Sequence, residues 1–114
     1  MWLQNQRQAE SLVEQGKELY KNDQDEQAVE IFKKAIAQDP NNAEAHLRLG
    51  MSYAALGQKT EAEDEYKKSI DLFKKRIQAD AKDAAAFFYL GEAYTFLHQD
   101  HEAARSYRQA TKLK

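Results

Sequence analysis

At 114 residues the chain is long enough for one domain, and with 42% hydrophobic and 32% charged residues it can bury a core and keep a solvated surface. Seventeen basic against nineteen acidic side chains, a formal net charge of −2, lack the basic excess that phosphate-backbone binding needs. The absence of cysteine excludes disulfides and thiolate chemistry, and the longest apolar run, Ala84 to Leu90, falls far short of the ~20 residues of a membrane helix.

Residues 1–8, beginning Met1-Trp2-Leu3-Gln4, have no apolar signal-peptide core and read as an N-terminal helical extension. The first helix is expected to start near Trp2 and to shield the unit that follows. From Ala9 onward the chain repeats. Gly16 recurs as Gly50, 34 residues on, and as Gly91, a further 41 on. The same two steps carry Leu19 to Tyr53 and Tyr94, Ala28 to Ala62 and Ala103, Phe32 to Tyr66 and Tyr107, and Ala35 to Ser69 and Ala110. These offsets divide the chain into units at 9–42, 43–83 and 84–114, all within a single domain. Each unit predicts two helices. The first carries the glycine and an apolar stripe, and the second carries small and aromatic residues at helical spacing, as in Ala28, Phe32, Ala35 and Ile36. Asn22-Asp23-Gln24-Asp25 and Gly57-Gln58 supply the polar turns, and Pro40, the only proline, closes the first unit.

The second unit is lengthened. Ala35 to Asp39 spans four positions, whereas the equivalent Ser69 to Asp80 spans eleven. Seven extra residues are almost two helical turns and rotate the apolar face by only ~20°, so Tyr66, Ile70, Phe73 and Ile77 continue one stripe. The second helix of this unit is therefore expected to be longer by ~10 Å, either packing Phe73 and Ile77 on the next unit or offering its protruding end as a docking surface. Its lysines, Lys67, Lys68 and Lys75, follow Glu63, Asp64 and Asp71 by four residues, which predicts intrahelical pairs and a solvated face.

In the third unit, Phe87 and Leu90 are expected to face the core. Four consecutive helical residues sweep most of the way round the axis, so Phe88 and Tyr89 cannot both face inward with them. At the end of the chain Ala104 and Thr111 replace Val29 and Ile36, while Ala86, Leu90, Ala93 and Leu97 continue an apolar edge. His98 and His101 fall in a turn and His46 at an interior position. A metal site needs three or four convergent ligands, so these histidines predict none, and no cofactor is expected. Phosphate loops and nucleophile motifs are missing, and the reading is of a non-enzyme.

The 34-residue period with small residues, aromatics and a closing proline resembles the tetratricopeptide repeat family over residues 9–114. The resemblance implies an all-α fold, an α-solenoid of three antiparallel helix-turn-helix hairpins in a right-handed superhelical stack. Departures are Leu12, His46 and Phe87 at the family's tryptophan position, Gln15 in place of a leucine and Ala81 in place of a second proline. The resemblance also implies that the first helices line a concave groove binding a peptide or helix of a protein partner. The groove positions are Val13, Lys17, Tyr20, Leu47, Arg48, Met51, Phe88, Tyr89, Glu92 and Phe96. Leu47, Met51, Phe88, Tyr89 and Phe96 would form an exposed apolar strip. The family's carboxylate clamp for acidic chaperone tails maps onto Val13, Lys17, Arg48, Ala85 and Tyr89, only two of them basic, so that mode of binding is not expected. The alternative is a structural element, an oligomerising unit or part of a larger solenoid, associating with itself through an open C-terminal edge. No nucleic acid or membrane insertion is expected, and the chain reads as soluble and, by default, cytoplasmic.

Overall fold

The computed structural model describes residues 1–114, which form six α-helices and no strand. They are α1 (Trp2–Lys21), α2 (Asp25–Gln38), α3 (Ala43–Ala55), α4 (Lys59–Ala79), α5 (Ala84–Phe96) and α6 (Asp100–Lys112). Consecutive helices pack as hairpins, α1 on α2, α3 on α4 and α5 on α6, and the hairpins are joined through α2 on α3 and α4 on α5. The architecture is all-α. No helix is long and apolar enough to cross a membrane.

Each hairpin closes on the same contact. A Cβ at Gly50 would sit 2.7 Å from the Tyr66 ring, a Cβ at Gly91 2.7 Å from the Tyr107 ring, and one at Gly16 would overlap Phe32. Only glycine lets these rings lie flat against the first helix. The turns inside the hairpins are equally uniform. Asp23, Gly57 and His98 occupy equivalent positions with φ of 61°, 77° and 61°, in the left-handed region that ends helices.

Between hairpins, side chains do the work expected of proline. Asn42 and Asp83 cap α3 and α5, each accepting from the backbone N–H three residues on at 2.9 Å. Asp39 and Asp80 each accept from the N–H two residues later. The second turn thus forms identically around Ala81 as around Pro40. Arg76 also reaches across this turn, donating to both oxygens of Asp83 at 3.0–3.2 Å.

The core has two parts. One holds Ala9, Val13, Ala28, Val29, Phe32, Ala35, Ala45 and Leu49, between the first hairpin and α3. The other centres on Leu47, Tyr66, Ile70, Phe73, Ala86, Leu90 and Tyr94, between the second and third hairpins. α4 runs 21 residues against 14 for α2. Its extra turns do not project freely: Phe73 is fully buried and Ile77 packs against the second cluster.

Several expectations are corrected. α1 does begin at Trp2, but Trp2 and Leu3 are 72% and 54% exposed and shield nothing, because no neighbouring helix reaches that first turn. Phe87 is only partly buried. Ala86, Leu90, Ala93 and Leu97 form no open edge: the first three are buried in the cluster with Tyr66, Ile70 and Phe73 of α4, and Leu97 packs against it. The lysines of α4 do not make their expected pairs: Lys68 instead lies 3.4 Å from Glu65. Glu65 is fixed by His46, whose Nδ1 is 2.7 Å from its carboxylate and whose Nε2 faces the Pro40 carbonyl at 2.9 Å. Burial pushes the Glu65 carboxyl up, but the hydrogen bond and charge of His46, with Lys68 beside it, hold it below the usual range.

Candidate functional site

The first helices α1, α3 and α5 share one face of the molecule, where charged residues from α1 and α3 meet aromatic residues from α5. Lys17 on α1 lies 3.4 Å from Oε2 of Glu44 on α3 and 3.2 Å from Glu14 on its own helix. Arg48, one turn after Glu44, directs Nε and Nη2 at that same Oε2, both at 3.3 Å. One carboxylate oxygen therefore engages both bases. Burial pulls the Lys17 amine down, but the Glu14 hydrogen bond and the Glu44 charge outweigh it, and the amine stays above its ordinary value.

From α5, Tyr89 stacks on Phe73 with centroids 5.6 Å apart, and the Arg48 guanidinium lies 6.0 Å from its ring. Phe96 stacks on Tyr66 at 5.1 Å and remains 38% exposed. Burial, with a smaller effect from Tyr20, pushes the Tyr66 hydroxyl up to about 12. Met51 packs at the edge of the second core cluster and Tyr20 at the edge of the first. Glu92 belongs to the same face but makes no pair. Its Oε1 is buried without a donor in the chain. Burial raises the Glu92 carboxyl, Arg48 partly offsets this, and the nearby Glu44 charge adds to it.

Two expected groove residues are core residues instead. Val13 is 2% exposed and Leu47 is fully buried. Both occupy the position that faces the following hairpin, so Val13 is enclosed with Ala45 and Leu49, and Leu47 with Phe73, Ala86 and Leu90. Phe88 holds the equivalent position in the last hairpin and is 47% exposed. It lines a cavity of about 450 Å³ with Ala84, Ala85, Tyr107, Ala110 and Thr111. The exposed strip is thus shorter than expected, with Leu47 missing from it. The role of Glu44 as the shared acceptor was only half visible in the sequence: its spacing to Arg48 is a helix-pair signal, but Lys17 lies on another helix. No group of three histidine or acidic side chains converges as a metal ion would require.

The profile described as "TPR repeat" matches residues 16–57, and that described as "Tetratricopeptide repeat" matches residues 43–76. The second TPR of Spaghetti (RPAP3), solved with an HSP90 peptide SRMEEVD, is 30% identical with a TM-score of 0.61, covering 97% of this chain and 96% of that one. This chain belongs to the tetratricopeptide repeat family. The second TPR domain of human RPAP3, solved with an HSP70 peptide, is 28% identical over 96% of this chain and 86% of that one, with a TM-score of 0.59. The Arabidopsis OM64 TPR domain is 26% identical over 96% and 85%, also at 0.59. Comparison with curated protein sequences finds no match. The third tetratricopeptide hairpin lies beyond both profile matches, but it repeats the glycine–aromatic contact of the other two. As a member of this family the chain is a protein-interaction module.

Proposed function

We propose that the face shared by α1, α3 and α5 binds a peptide or helix of a protein partner without chemical transformation. The observation that carries this reading is the pair of half-exposed aromatic rings, Phe88 and Phe96, beside the charged group of Lys17, Glu44, Arg48 and Glu92. Apolar anchors next to oriented charges are the composition of an interaction site rather than of a solvated surface. The relatives solved with chaperone peptides bind in keeping with that use of the fold. The test is steric. Ala54 and Ala85 are exposed on α3 and α5, and arginine at both would fill the groove without touching the core. Loss of captured partners from a cell lysate by Ala54→Arg/Ala85→Arg, with helicity unchanged, supports the reading. Unchanged capture overturns it.

A second reading, association through the C-terminal edge, is favoured by one contrast. Val13 and Leu47 are covered by the next hairpin, whereas Phe88 at the same position is open. Sedimentation velocity checks it: concentration-dependent association lost on Phe88→Glu supports the edge contact, and a monomer at all concentrations removes it.

A further inference from the structure

We infer that the groove selects a peptide carrying a lysine or arginine side chain between apolar residues, and that Glu92 is the residue that reads that cation. The inference rests on the groove reading above and adds the chemistry of its ligand. Its starting point is an imbalance. On the shared face, Lys17 and Arg48 are both committed to Glu44, with Glu14 also on Lys17. Both of these bases are therefore engaged, while Glu92 makes no pair and has one oxygen buried. That oxygen, Oε1, accepts from no donor in the chain.

A buried carboxylate oxygen without a donor is costly; Oε2, also unpaired but not enclosed, is the oxygen a ligand N–H can reach, and a cation there offsets the cost of holding the carboxylate in this position. An acidic ligand gains little here. It would have to displace Glu44 from both bases and then lie beside Glu92. The surroundings of Glu92 suit a cation with a long aliphatic stem. Phe88, Glu92 and Phe96 follow one another at four-residue spacing on α5, which places the carboxylate between two half-exposed rings on one face. Lysine and arginine stems cover apolar surface while the charged head reaches a polar group, and ring faces attract cations. Tyr89, one turn from Glu92, already has the Arg48 guanidinium near its ring.

The test is selection from a phage-displayed library of random peptides against three proteins: the wild type, Glu92→Gln and the blocked Ala54→Arg/Ala85→Arg. The wild type is expected to enrich peptides with a basic residue at a fixed position flanked by apolar ones, and the blocked variant to lose them. A selected peptide, made synthetically and labelled, should bind Glu92→Gln roughly tenfold or more weakly by fluorescence anisotropy. Replacing its basic residue by norleucine should weaken wild-type binding similarly, and combining both changes should cost little more than either alone. Non-additivity of that kind identifies the pair. Groove-dependent peptides without a basic residue, acidic peptides, or full affinity for Glu92→Gln would overturn the inference while leaving the groove reading intact. The same peptides selected by the blocked variant, or none selected by any protein, would overturn both.

Discussion

At the scale of single residues, the hairpins depend on three glycines whose replacement should not be equally harmful. Alanine at Gly16 would strike Phe32, which is fully buried and has nowhere to move. Alanine at Gly50 meets Tyr66, buried and stacked on Phe96, while Gly91 faces the partly exposed Tyr107. Chemical denaturation should rank the losses Gly16→Ala, Gly50→Ala, Gly91→Ala from largest to smallest, within the ~1–3 kcal/mol typical of overpacking. The turn positions reverse the argument. Gly57 has open space around it but φ of +77°, so Gly57→Ala should cost about 1 kcal/mol through backbone strain alone. His98→Gly, at the equivalent left-handed position, should raise the melting temperature instead. Glu92 gives a pH signature. Its folded pKa is raised, so its contribution to stability is fully present below the ordinary carboxylate range and is lost as pH rises through the folded value. Glu92→Gln should therefore melt higher than wild type at neutral pH, and the gap should close in acid.

At the scale of elements, α4 shows what a helical sequence does and does not disclose. Its length was legible because seven residues keep Tyr66, Ile70, Phe73 and Ile77 on one stripe, and periodicity is a local property. The extra turns serve the core, and Phe73→Ala should cost about 3–5 kcal/mol by the same denaturation assay. Its surface pairs were not legible. Glu63, Asp64 and Asp71 have the spacing for lysine partners, but exposed long side chains gain too little to hold one geometry. Lys68 settles instead near Glu65, the one carboxylate already held in place by His46. Likewise the glycine–aromatic contacts were readable as a fixed offset, whereas the facing of Val13 and Leu47 depends on how one hairpin crosses the next. No local pattern carries that crossing. The exposure of Phe88 was only half legible: helix geometry says that Phe88 and Tyr89 cannot both face inward with Leu90, but not which of the two stays open.

At the scale of the whole molecule, each hairpin touches only its neighbours, so stability is distributed as in a one-dimensional array. α6 packs mainly on α5, with Thr111 and Ala104 where the first hairpin has Ile36 and Val29. Its amides should exchange with solvent faster than those of α3 and α4, measured by hydrogen exchange with mass spectrometry. Equal protection across all six helices would contradict this picture of an open end.

The two joints of the array are unlike. Between the first and second hairpins, the shared face is fastened by Lys17 and Arg48 converging on one oxygen of Glu44. Between the second and third, the corresponding positions are Met51, Ala85 and Tyr89, and the fastening is the ring of Tyr89 on Phe73. An ionic clasp weakens with added salt, and a stacked aromatic one does not. The two joints should therefore answer salt differently: added salt loosens the Lys17–Glu44–Arg48 contact, while the Tyr89–Phe73 contact and the apolar packing beneath both joints stay as they are.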